Sequence, residues 1–218
     1  FWKLIENDNV PMAVRMMQML SMGHHLQKNI SEGQLFGLEN IYDHYLSEGA
    51  ANRMNVYLKE KWEKPGSRYH VMKGMFSCLH KLEALSADWP GKVRHYEKIL
   101  FSGGRKKYEA LHQYRMPDKI AEQLLSYFIY VYFAGAVYDG MPYSKVKLAV
   151  ISTMLIEDIV CATAAEKGEL TFEEIADAAH SYAREVEHSD LNLQRLSIMF
   201  RHQKCFHIGR LCGALLEW

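Results

Sequence analysis

DKIAEQLLSYFIYVYFAGAVYDGMPYSKVKLAVISTMLIEDIVCATAAEKG, residues 118–168, decides the fold. Its first part is amphipathic only at the start, where Lys119, Glu122 and Gln123 alternate with Ile120 and Leu124. From Leu124 to Val137 it is apolar or aromatic on every side. A helix of that kind is buried in a core or in a bilayer. The run is about fourteen residues long, against the roughly twenty that a bilayer needs. We therefore expect a buried central helix over about 118–138, paired through a tight turn with a second long helix over about 143–166. The segment from Phe128 to Phe133, FIYVYF, has strand propensity, but its place inside a longer helical pattern favours helix.

Outward from this pair the rest of the chain also reads as helix. Upstream, Pro11 suits a first turn, and Met12 to Lys28 carries an apolar stripe of Val14, Met17, Leu20 and Met22. Ser31 is placed to cap a helix from Glu32 to Glu48 with Leu35, Leu38, Ile41, Tyr42 and Tyr45 inward. Further helices are expected over Ala50 to Glu63, ending before Pro65, and over Ser67 to Leu85. Asp88 and Pro90 open the next, which runs to Phe101, and a short one covers Lys106 to Tyr114. Downstream, Thr171 and Glu174 have capping-box spacing, with Phe172, Ile175, Ala179, Tyr182 and Val186 on the inward face. Leu191 to Arg201 and the tail from Lys204 to Trp218 complete the series. The expectation is an all-α fold, one multi-helix domain over 1–218, with a weak subdivision near 86–117.

Composition narrows the function classes. The 218 residues carry 26 Lys and Arg against 26 Asp and Glu, so charge offers no case for nucleic acid or an anionic membrane. Cys78 and Cys161 lie in apolar helical context, as reduced thiols of a cytoplasmic protein would. No phosphate loop, dinucleotide fingerprint, HExxH or nucleophile elbow occurs. Cys205, His207 and Cys212 match no paired-cysteine zinc spacing, so no metal ligand is assigned.

Two places could carry chemistry. Glu173, Asp177, His180, Arg184, Glu187 and His188 recur at helical spacing on one side of a helix. Arg184 could hold an anionic group while Glu187 or His188 handles a proton; a solvated, salt-bridged face is the plainer reading. Tyr138 and Asp139, before Gly140, could stand at the mouth of a pocket, or could be an ordinary helix end in which Tyr138 packs. Tyr127, Tyr130 and Tyr132 could line a ligand cavity or simply find local acceptors.

Four stretches carry a resemblance: LHKLEALSADWPGKVRHYEKIL (79–100), EQLLSYFIYVYFAGAVYDG (122–140), KVKLAVISTMLIEDI (145–159) and SYAREVEHSDLNLQRL (181–196). Together, over about 78–200, they resemble the C-terminal half of the flagellin lysine-N-methylase family. AREVEHSDLNL is the most specific segment and LSADWP the next. The resemblance implies methylation of flagellin lysines, with S-adenosylmethionine as methyl source and an N-terminal cysteine-rich segment holding an iron–sulfur cluster. No cysteine precedes Cys78. With Phe1 at the start and no initiator Met, we expect that segment to be missing and this stretch alone to be inactive, with no cofactor of its own. Arg184, Glu187 and His188 match the family's Arg-x-x-Glu-His, and Tyr138 and Asp139 its Tyr-Asp-Gly; Arg184 packed against Tyr138 and Asp139 is one structural reading of that sharing. The expected partner is flagellin or another protein substrate. The alternative is a non-catalytic helical scaffold that grips a partner protein.

Overall fold

The apolar run is helical, but its first part is broken by a 3-10 turn and only its last helix is enclosed. The computed structural model describes residues 1–62 and 67–218, and among them every regular element is helical. The α-helices are α1 (Trp2–Ile5), α2 (Met12–Ser31), α3 (Leu38–Leu46), α4 (Ala50–Trp62), α5 (Ser67–Leu79), α6 (Trp89–Phe101), α7 (Gly104–Leu111), α8 (Asp118–Tyr132), α9 (Ala136–Asp139), α10 (Pro142–Lys167), α11 (Phe172–Glu187), α12 (Asp190–His202) and α13 (Ile208–Leu215). The all-α architecture holds; Glu63 and Pro65, expected at the end of α4, lie outside the described residues.

α10 is the axis. Every residue from Val146 to Ala162 is buried, because α2, α6, α8, α11 and α12 all pack around it. Several of its buried polar side chains are answered internally, as burial demands. Ser152 and Tyr182 share a hydrogen bond of 3.0 Å, and Thr153 bonds back to the Ala149 carbonyl. Lys147 Nζ donates to the Phe200 carbonyl at 2.6 Å and lies 4.3 Å from the Tyr143 ring; burial pulls its pKa down to about 8. Gly23 lets α2 cross closely, since a Cβ there would meet Val146 Cγ2 at 3.0 Å.

α8 corrects the expectation of a helix buried on every side. Only Ala121, Glu122, Leu125, Phe128 and Ile129 are buried, while Tyr127, Tyr130 and Val131 face solvent. The helix gives way to a 3-10 turn at Phe133–Gly135 and then to α9, where Val137 and Tyr138 are exposed. Gly140, at φ 65°, ends it, and Pro142 starts α10. Helices cover one side of α8 only, chiefly α10 with α1 and α2, so its apolar character on the far side is not used by the fold.

Other boundaries moved for local reasons. Ser31 ends α2 instead of capping α3, since Gly33 and Gly37 take positive φ and turn the chain between them. That leaves Leu35 in solvent. α5 stops at Leu79, six residues early, because the following loop is held by α11 and α12 as described below. Thr171 and Glu174 form the capping box, but Phe172 beside them is exposed, not inward.

Candidate functional site

The predicted polar face of α11 divides into three parts with separate partners. Near its start, Asp177 lines a polar cleft of about 340 Å³ with Lys92, Tyr96, Thr163 and Lys167. Glu173 and His180 are exposed.

The second part is a latch. The Glu185 carboxylate, almost fully buried, accepts the backbone N–H of Leu85 at 2.7 Å and of Ser86 at 3.1 Å, and the Ser86 hydroxyl. Arg184 Nη2 donates to Ser86 Oγ at 2.9 Å. Asn192, buried on α12, accepts the Glu83 N–H at 2.7 Å and donates to the carbonyls of Glu83 and Glu185 at 2.8 Å. Ser189 caps α12 through the Asn192 N–H. Thus AREVEHSDLNL binds the loop that contains LSADWP: the two most specific segments of the resemblance are halves of one contact. Arg184 faces this loop and not Tyr138 and Asp139, which corrects that placement; Nη2 bonds to Ser86, and Nε lies 3.5 Å from the Glu185 carboxylate without a hydrogen bond.

The third part is at the C-terminal end of α11. Glu187 Oε2 accepts hydrogen bonds from Tyr127 and Tyr132 of α8, each at 2.8 Å. Glu187 Oε1 is shielded from water and has no partner. Burial and then the Glu187 bond raise the Tyr127 phenol to about 12, and the same causes raise Tyr132. His188 follows, exposed at the helix end. Glu187 and Tyr127, named separately from the sequence, are brought together here. Tyr130 and Tyr138 stand on the outward side of the same α8–α9 segment, with no packing role. Asp139 turns away: it accepts the Met141 N–H at 2.9 Å and pairs with Lys145 at 2.7 Å. Burial disfavours its charge, but Lys145 and that N–H hold its carboxyl below the ordinary range. A carboxylate with one free oxygen, beside a half-exposed tyrosine ring, can take an ammonium through hydrogen bonding and cation–π attraction.

A second cluster was not anticipated. Arg68 of α5 is buried and donates through Nη2 to Glu157 Oε2 and Asp158 Oδ1 of α10, both at 3.0 Å. Tyr108 donates to Asp158 Oδ2 at 2.8 Å, and His112 Nε2 lies 3.2 Å from Arg68 Nε. Trp218 stacks near the Arg68 and Arg115 guanidiniums, and Glu217 receives the N–H groups of Ser67 and Arg68. Burial raises Glu157; Asp158 is also desolvated, but Arg68 and His112 draw it down. Such divergence marks acid–base sites. Here, however, both carboxylates are closed off, with side-chain exposures of 1% and 0%, so a protein side chain has no access. The available signal was the adjacent pair Glu157 and Asp158 inside a helix otherwise apolar.

The cysteines do not fit an iron–sulfur cluster, which takes about four thiolates. Cys78 and Cys205 are hydrogen-bonded to each other, lowering the first thiol and raising the second, while burial raises Cys161 and Cys212. No group of three or more metal-binding side chains occurs among the described residues. The clefts of about 330 Å³ beside Tyr45 and Met54 and about 310 Å³ beside Val10 and Asn52, like the one at Asp177, do not include Glu187. None of the three sets a space for S-adenosylmethionine against that carboxylate.

Searches against curated proteins and against solved structures return no match. A family model does match, over residues 1–214, extending the likeness beyond 78–200 on both sides. That match and the all-α fold agree, and the chain belongs to the FliB lysine N-methylase C-terminal domain family.

Proposed function

We propose that this domain serves protein-lysine N-methylation, with flagellin as the substrate protein, and that the α8–α11 junction receives the substrate lysine. The family match over 1–214 carries this reading. Glu187 supports it as a carboxylate at the rim with an unpartnered oxygen, next to the half-exposed Tyr127. In this reading Glu187 and Tyr127 hold and orient the amine. Methyl transfer needs a neutral nitrogen, so one proton must leave before the N–C bond forms. His188, exposed one residue further on, is the group that passes this proton to solvent. S-adenosylmethionine would supply the methyl group when bound, and the residues described here are assigned no part in holding it. A cluster-bearing segment, implied by the family likeness alone, is proposed to work alongside this domain in the cytoplasm.

The test is mass spectrometry of flagellin produced with and without the full-length gene. The expected result is methyl-lysine only with the gene, and at least about tenfold less with Glu187→Gln. Flagellin that stays unmodified in the presence of the intact gene overturns the reading. The exposed α8 face favours one narrower alternative, a scaffold that binds flagellin without modifying it. It predicts binding with no methyl-lysine.

A further inference from the structure

We propose that the outward face of α8 and α9, from Tyr127 to Tyr138, is the docking surface for a lysine-bearing apolar segment of the substrate protein. This rests on the methylation reading and specifies how the substrate is held. The first observation is the absence of charge. No Asp, Glu, Lys or Arg occurs from Leu124 to Tyr138, yet Tyr130 is 74%, Val137 86% and Tyr138 93% exposed. A surface helix normally turns charge outward, and α8 does so only in its first turns. A contiguous exposed apolar face marks an interaction site. Along the helix the face extends roughly 17 Å, about three turns of a partner helix.

The second observation selects the occupant. The face ends at Glu187, whose Oε2 takes both tyrosine hydroxyls and whose Oε1 has no donor. Glu157 Oε1 in the core also lacks a hydrogen bond, but its carboxylate is paired with Arg68 and Arg115, whereas no cation among the described residues pairs with Glu187. The complementary ligand is a cation carried on an apolar backbone, which is a lysine flanked by apolar residues. Entry needs a side-chain rotation at the rim, where Tyr127 is half exposed. A second copy of this chain fits less well. Symmetric pairing sets the same patch against itself, and this patch holds no cation to offer Glu187.

The experiment uses the full-length methylase and purified monomeric flagellin, with binding measured by titration calorimetry. Tyr130→Ser with Tyr138→Ser should weaken binding at least about tenfold, and Glu187→Gln by about as much. Phe172→Ser, an exposed apolar residue elsewhere, should change nothing. The Tyr130, Tyr138 and Phe172 variants should keep the wild-type Tm, since those side chains are exposed; Glu187→Gln keeps an acceptor oxygen for the two tyrosine hydroxyls and should stay folded with a slightly lower Tm. Acetylating the flagellin lysines should weaken binding to wild type and not further weaken binding to Glu187→Gln. Unchanged binding by the double variant overturns the proposal. So does a wild-type dimer that the double variant dissociates, or wild-type flotation with phosphatidylglycerol vesicles that the double variant loses. If the wild-type enzyme neither binds nor methylates flagellin, the functional reading fails as well. If it methylates while the face variants bind and methylate normally, only the docking surface fails.

Discussion

α8 and α10 are alike in composition and opposite in setting. The stretches 118–139 and 142–167 are both long and apolar enough to cross a membrane, but 28% of the apolar window is buried in the first and 89% in the second. For α10 the apolar character is consumed by packing, and most of its few buried polar groups bond inside the fold, Tyr143 OH and Glu157 Oε1 being without a hydrogen bond among the described residues. For α8 the inward half is consumed and the outward half is left over. The comparison teaches that hydropathy fixes how much apolar surface a helix offers, while the neighbours determine how much the fold takes up. What remains on α8 is available to a partner.

The contrast can be tested first where the core is most exacting. Arg68→Met leaves Glu157 and Asp158 buried without their cation and should cost about 3–5 kcal/mol, measured by urea unfolding. A cost below about 1 kcal/mol would mean that the cluster is not closed as described. The same substitution on the two apolar segments sharpens the contrast further. Val150→Ala, fully buried in α10, should cost about 2 kcal/mol, and Val137→Ala, exposed on α9, less than about 0.5 kcal/mol. Equal effects would dissolve the distinction.

Smaller effects separate the parts of α11. Glu185→Gln should destabilise by about 1–3 kcal/mol, because the carboxylate holds two backbone N–H groups and the Ser86 hydroxyl. Its activity loss should follow the fraction unfolded. The mildest signal is optical. The Tyr127 phenol is raised from 10.0 to about 12 in the fold, so the fold favours its neutral form. That contribution is complete below pH 10 and is lost as pH rises through about 12. Phenolate absorbance should show this late titration, and Glu187→Gln should bring it back toward the ordinary value.

Much of this was legible beforehand. The 118–168 run announced helix on both sides of a break at Gly140, though not the 3-10 turn after Tyr132, and Thr171 with Glu174 announced a capping box that the structure contains. The open face of α8 was not, since periodicity records which residues are apolar and not what covers them. The latch was equally hidden: Glu185 and Leu85 are 100 residues apart, and only the fold makes them neighbours. Arg68 stood at the start of a helix like any surface arginine, and its partners lie 89 and 90 residues downstream. The signal for Glu187 was its place on a helical polar face, and the convergence of Tyr127 and Tyr132 on it required the fold to bring the end of α11 within side-chain reach of α8.

Hydroxyl-radical footprinting of the full-length protein, alone and with flagellin, reads the central contrast directly. Oxidation of Tyr130 and Tyr138 should be strong in the free protein and fall on flagellin binding, while Phe36 and Phe172, also exposed, stay reactive. Tyr130 and Tyr138 that remain as reactive in the complex as in the free protein would contradict the account.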